Sequence, residues 1–107
     1  MKKGLNEVCY GFFSSLANPT RLAILERLRD GEMNVSGLAA ELGLEQSMVS
    51  HNVRLLEECG IIHSERRGKE KYVTPDRDTV DALFRVAERH SERCVSRCSS
   101  RCNCARC

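Results

Sequence analysis

Residues Gln46–Gly60 read QSMVSHNVRLLEECG, and residues 61–74 continue as IIHSERRGKEKYVT. In the first stretch Val49, Val53 and Leu56 recur three or four residues apart, the spacing that lines one side of a helix. With that stripe turned inward, Gln46, Ser47, Ser50, His51 and Arg54 are left facing outward, and every one of them carries a hydrogen-bonding group. Gly60 is a natural stop for a helix expected to run from Gln46 to Cys59. Beyond it, Ile61–Arg67 and Lys71–Thr74 read as two short strands around a Gly68-Lys69-Glu70 turn, with Pro75 closing the hairpin.

Moving toward the N-terminus, Gly43-Leu44-Glu45 connects this helix to a shorter one, Val35–Leu42, buried through Leu38, Ala39 and Leu42. Asn18-Pro19 supplies an N-cap followed by proline at the first helical position. The helix so opened runs through Leu22, Leu25 and Leu28 to Asp30-Gly31. Leu5, Val8, Cys9, Phe12, Phe13 and Leu16 form one more helical stripe, on which Cys9 is expected to be a buried structural thiol. On the C-terminal side of the hairpin, Val80, Leu83, Phe84 and Ala87 mark a fifth helix. From Ser91 on, large apolar residues nearly vanish and an arginine-cysteine cadence takes over: Arg93-Cys94, Arg97-Cys98, Arg101-Cys102 and Arg106-Cys107. The expectation is a mainly α chain with a small β-hairpin (α+β), a winged helix-turn-helix over residues 1–92 and a cysteine- and arginine-rich sensor tail over 93–107.

Size and composition bound what such a chain can do. Its 107 residues allow one domain, and 41% hydrophobic with 30% charged residues fits an ordinary globular protein. A formal net charge of +2 carries no information about nucleic acid. Locally the balance is also even: Arg54, Arg66, Arg67, Lys69 and Lys71 stand against Glu45, Glu57, Glu58, Glu65 and Glu70. The order of elements is what points to DNA, because a short bracing helix, a polar-faced second helix and a hairpin match the way such a unit enters a major groove. On that reading Gln46, Ser47, Ser50 and His51 reach base edges, and Arg54 meets phosphate or guanine. The hairpin would add Arg66, Arg67, Lys69 and Lys71 as phosphate or minor-groove contacts. The partner is then double-stranded DNA. No 18-residue apolar run is present, so no membrane partner is expected. Asn6, Glu7 and Cys9 interrupt any signal-peptide core after Met1-Lys2-Lys3, which makes the cytoplasm the expected location. There is no phosphate-cradling glycine loop, no paired-carboxylate signature and no HExxH, and an enzyme is not expected.

Three motifs carry a family resemblance. Leu16-Ala17-Asn18-Pro19-Thr20-Arg21-Leu22-Ala23-Ile24-Leu25 resembles the opening of the ArsR/SmtB family of metal- and metalloid-responsive repressors. Residues 46–56 are similar to its recognition helix, and Arg66-Arg67-Gly68-Lys69 with Tyr72 to its wing. The likeness spans roughly residues 5–90. It implies a homodimer built through the first and last helices, and repression relieved by a ligand. Asn52 and Glu45 depart from the family's usual histidine and serine, a change expected to bear on operator choice.

The resemblance also says where a sensor site is not. The family's third-helix thiol site would need cysteines where this chain has Asn34 and Ser36. Its last-helix zinc site is incomplete, since Val80 rather than histidine stands two residues after Asp78, and His90 has Arg93 three residues on. Thiolate is what remains. Five of the seven cysteines, Cys94, Cys98, Cys102, Cys104 and Cys107, lie in the last fourteen residues. In a reducing compartment such a cluster reads as metal-binding or redox-active. Some family members carry a ligand where this chain has Cys59, paired with a C-terminal cysteine. All-sulfur ligation favours soft ions: As(III), Sb(III), Cd(II), Pb(II), Hg(II), Cu(I) or Zn(II). Along a helix, Cys94, Cys98 and Cys102 would span about 12 Å at about 1.5 Å per residue. Sulfurs about 2.3 Å from one tetrahedral ion lie only about 4 Å apart, so these three cannot share an ion on a straight helix. The compact Cys102-x-Cys104-x-x-Cys107 run can. Neighbouring arginines favour thiolate and so raise both ion affinity and sensitivity to oxidants. A disulfide-forming redox sensor on the same fold, or a thiol-rich metal buffer, are the competing functions.

Overall fold

A computed structural model describes the backbone of residues 4–97 and the side chains of residues 4–93. Eight elements follow one another: α1 (Leu5–Leu16), α2 (Pro19–Leu28), β1 (Met33–Asn34), α3 (Val35–Leu42), α4 (Gln46–Glu58), β2 (Ile62–Arg67), β3 (Glu70–Pro75) and α5 (Arg77–Arg97). The boundaries have local causes. Asn18 caps α2, its Oδ1 accepting from the backbone N–H of Thr20 (2.9 Å) and Arg21 (3.1 Å), with Pro19 at the first helical position. Gly43 ends α3 at φ 66°, a left-handed conformation that costs glycine nothing, and its N–H reaches back to the last turn. Cys59 is the C-cap of α4.

Sequence periodicity missed β1. Its two residues pair antiparallel with β3, Met33 opposite Val73 and Asn34 opposite Tyr72, giving a three-stranded sheet of order β1-β3-β2. Two residues are too few for an alternation to register. Asn34 then caps α3, accepting from the Gly37 N–H at 2.8 Å, while its Nδ2 donates to Glu70 on β3 at 3.0 Å. Ser36 Oγ lies 3.5 Å from the same carboxylate. The two positions that would hold the family's third-helix cysteines therefore fasten α3 to the sheet instead. The hairpin turn is tighter than expected: Glu70 already pairs with Arg67, leaving a two-residue loop with Gly68 at φ 64°. Pro75 ends β3 opposite Ile62.

The core of residues 4–77 is made by Ile24, Leu25 and Leu28 of α2, Leu38 of α3, Val49, Val53 and Leu56 of α4, and Ile61, Ile62 and Val73 around the hairpin, all essentially inaccessible. Each such side chain contributes about 1.5–3 kcal/mol by leaving water. Leu42 is only half-buried. The α1 stripe departs most from expectation. Leu16 is buried, but Leu5 (77%), Val8 (53%) and Phe13 (58%) stay exposed, and Cys9 is exposed with them rather than buried. From residue 78 on, α5 forms a compact unit of its own. It continues as helix to Arg97, through the point where the composition shifts. No helix among the described residues is long and apolar enough to cross a membrane.

Candidate nucleic-acid interface and thiol positions

Because α4 buries Val49, Asn52, Val53 and Leu56, its opposite side is fixed by geometry. Gln46, Ser47, Ser50, His51 and Arg54 are all exposed. Arg54 Nη2 lies 3.3 Å from His51 Nδ1. Ser47, Ser50, His51 and Arg54 line a shallow depression together with Lys71 of β3, so helix and hairpin contribute to one concave, polar surface. Glu45 at the N-cap makes no side-chain capping bond, which leaves the first N–H groups of α4 to other acceptors.

Two of the hairpin cations, Lys71 and Arg67, are held by carboxylates. Lys71 Nζ is 3.4 Å from Glu57 of α4, whose other oxygen accepts from Ser64 Oγ at 2.6 Å. The Ser64 hydroxyl first, and the Lys71 charge after it, keep the Glu57 carboxyl below its ordinary pKa. Arg67 is engaged most fully. Its guanidinium donates to both Glu32 oxygens (2.8 and 3.1 Å) and to Glu65 (3.2 Å), and lies 4.6 Å from the centre of the Tyr72 ring. Thr74 Oγ1 donates to Glu32 as well, at 3.3 Å. The Arg67 hydrogen bonds hold the Glu32 carboxyl below its ordinary pKa and raise that of Arg67. Arg66 and Lys69 are exposed. Of the nine side chains expected to meet DNA, eight are exposed and Lys71 is half-buried.

Asn52 is turned away from the outward side of α4. It points inward, buried, accepting from Arg21 Nε at 3.0 Å and donating to the Met48 carbonyl at 2.9 Å. No spacing rule would have singled out this pair, whose partners are 31 residues apart in the chain.

Among the expected thiol ligands, Cys59 is exposed, its Sγ 3.0 Å from Ser15 Oγ. Cys98, Cys102, Cys104 and Cys107 lie outside the described residues, as does the side chain of Cys94 on α5. Among the described residues no group of three or more His, Cys, Asp or Glu side chains is placed to hold an ion.

Comparison with known proteins adds to this geometry. A family model described as "Bacterial regulatory protein, arsR family" matches residues 18–64, which run from the α2 cap into β2. The chain is similar to the HTH-type transcriptional regulator NmtR of Mycobacterium tuberculosis, 40% identical over 78 residues, covering 73% of this chain and 65% of that protein. It is also similar to a transcriptional repressor SmtB homolog of Synechocystis, 34% identical, covering 74% and 60%. The chain thus spans 60–65% of the length of the first curated relatives it matches. Among solved structures, the homodimeric winged helix-turn-helix DNA-binding domain Mb0332 of Mycobacterium bovis superposes with a TM-score of 0.74 at 26% identity, covering 86% of this chain and 91% of that one.

Proposed function

Given that the chain belongs to the arsR family of bacterial regulatory proteins, we propose that it is a homodimeric DNA-binding repressor, not an enzyme, which leaves its operator when cysteine thiolates capture a soft metal or metalloid ion. The observation that carries the DNA half is the division of α4 into an inward apolar side and an outward side sharing a depression with Lys71. Gln46, Ser47, Ser50 and His51 then read base edges, Arg54 reads guanine or phosphate, and Arg66, Lys69 and Lys71 of the hairpin track the backbone, while Arg67 stays with its carboxylates. A repressor and a homodimeric DNA-binding domain among the similar proteins support the reading. The exposed apolar side of α1, with Leu5, Val8 and Phe13, fits coverage by a second copy.

The effector half rests on chemistry. Cys59 is an accessible thiol at the end of the DNA-reading helix, and the arginine-cysteine cadence supplies further sulfurs in Cys94, Cys98, Cys102, Cys104 and Cys107. Such a donor set suits soft ions of the As(III)/Sb(III) or Cd(II)/Pb(II) class, and equally Cu(I) or Zn(II). Tighter binding of the ion to the DNA-free form by about a hundredfold, about 2.7 kcal/mol, suffices for a switch.

The test is operator binding. A duplex is selected from a random library by the full chain under strict reduction, then challenged with As(III), Cd(II), Cu(I) and Zn(II), on wild type and on a chain lacking residues 94–107. Ion-induced release that the truncation abolishes is the expected result. Release by oxidant but by no ion would make the protein a redox sensor. Several ions bound per chain without salt-dependent DNA affinity would make it a metal buffer.

A further inference from the structure

Asn52 is the one buried polar side chain among the described residues, 7% exposed, and it lies in the middle of the helix whose outer side carries Ser50, His51 and Arg54. A buried amide without partners is costly, so its bonds indicate what it is held by. Its oxygen takes a 3.0 Å bond from Arg21 Nε, and its nitrogen gives a 2.9 Å bond to the Met48 carbonyl one turn earlier. The same guanidinium gives Nη1 to the Ser15 carbonyl at 2.9 Å, in the last turn of α1. Arg21 is fixed in turn at its backbone by the Asn18 cap. A guanidinium is a rigid planar fork, so one side chain sets the end of α1, the first turn of α2 and the middle of α4 relative to one another. Ser15 extends the chain of contacts: its Oγ donates to the Gly11 carbonyl at 2.9 Å and lies 3.0 Å from Cys59 Sγ.

We propose that Arg21 and Asn52 are positioning residues for the DNA-reading helix, and that Ser15 couples this latch to the Cys59 thiol. The inference rests on the reading of α4 as the helix that enters DNA and deepens it by naming a route of regulation. When a soft ion binds Cys59, a sulfur–ion bond forms and the thiol proton passes to water. The sulfur can no longer donate to Ser15, and the ion fixes its direction. Ser15 then adjusts, and its carbonyl shifts against Arg21. The fork transmits that shift to Asn52, and so to the tilt of Ser50, His51 and Arg54. None of the three latch residues needs to touch DNA or ion.

The experiment uses the full chain, reduced, with a duplex selected by the wild type and a scrambled one. Without metal, Asn52→Leu and Arg21→Lys are expected to lower affinity for the selected duplex by about tenfold, with scrambled-duplex affinity and salt slope unchanged, because no phosphate contact is lost. The double variant should be no worse than either single one, as for residues acting as a unit. Arg21→Lys keeps the charge but places its donors on a single nitrogen in place of the fork, so it carries this readout if Asn52→Leu fails to fold by circular dichroism. In the second arm, Cd(II) and As(III) are the probes, with ion binding followed by sulfur-to-metal ultraviolet absorbance. Ser15→Ala retains the backbone carbonyl and is expected to bind the ion like wild type, while release falls from about a hundredfold to under about threefold. Equal losses on both duplexes, or none, would overturn the positioning role; full release by Ser15→Ala would overturn the coupling. If the wild type selects no duplex, DNA reading itself fails. If it does and the variants match it, only the latch fails.

Discussion

The outer side of α4 and the β2–β3 hairpin offer similar groups to solvent but hold them differently. On α4 the outward side chains are exposed, and the contact made by Arg54 is with His51 on the same face. On the hairpin, Arg67 is bound by Glu32, Glu65 and the Tyr72 ring, and Lys71 is paired with Glu57. The difference explains a local charge that sums to zero. Glu57, which belongs to that balance, and Glu32, which lies outside it, fix Lys71 and Arg67 respectively, and Glu57 ties the hairpin to α4. A count of charges along the chain cannot separate a cation that is oriented from one that is neutralised.

Three measurements would break or sharpen that contrast. The largest effect is expected at Arg54. Arg54→Ala should weaken binding to a selected duplex by about 1–3 kcal/mol, read by fluorescence anisotropy. Thermal stability should move by no more than about 0.5 kcal/mol, because the residue is exposed. A large loss of stability would mean that the outer side of α4 is structural. Next comes the pair Lys71→Ala and Arg67→Ala. Removing Lys71, which lines the depression, should reduce the salt slope of DNA binding by about one. Loss of Arg67, already committed to two carboxylates, should leave that slope unchanged. Equal reductions would erase the distinction between the two cations.

The smallest effect is a pH dependence. Glu32 is held below its ordinary pKa by Arg67, and Glu57 by Ser64 and Lys71. A carboxyl with a depressed folded-state pKa stabilises the fold above its unfolded value of about 4.3, and that contribution disappears as pH falls through the folded value. Melting temperature should therefore drop more between about pH 7 and pH 3 for wild type than for a Glu32→Gln, Glu57→Gln double variant. Both carboxylates are partly exposed, so the difference is small and salt-sensitive. An identical acid response in the two proteins would show that these pairs do not anchor the hairpin.

Much of the architecture was legible in advance, for reasons visible at particular residues. Asn18-Pro19, Gly43 and Gly60 are punctuation whose meaning is local, and α1 and α3 begin and end where spacing and breakers put them. The inward stripe of α4 followed from its 3.6-residue period. The stripe of α1 obeyed the same period, yet Leu5, Val8 and Phe13 remain uncovered in the single chain. Periodicity says that a helix has an apolar side; it does not say whether the same chain or a second one covers it. The strand β1 was too short to leave a pattern, and Asn34 and Ser36 gave no sign that Glu70 would receive them.

The sequence by itself determined the helices, the hairpin, the outward residues of α4 and the concentration of sulfur near the C-terminus, because each depends on neighbours within a few residues. Only the tertiary structure decided that Asn52 faces Arg21 rather than DNA, that Glu32 and Glu57 take up Arg67 and Lys71, and that Cys59 meets Ser15. These contacts join positions 14 to 44 residues apart, and no local rule fixes which distant polar groups will meet once the core has closed.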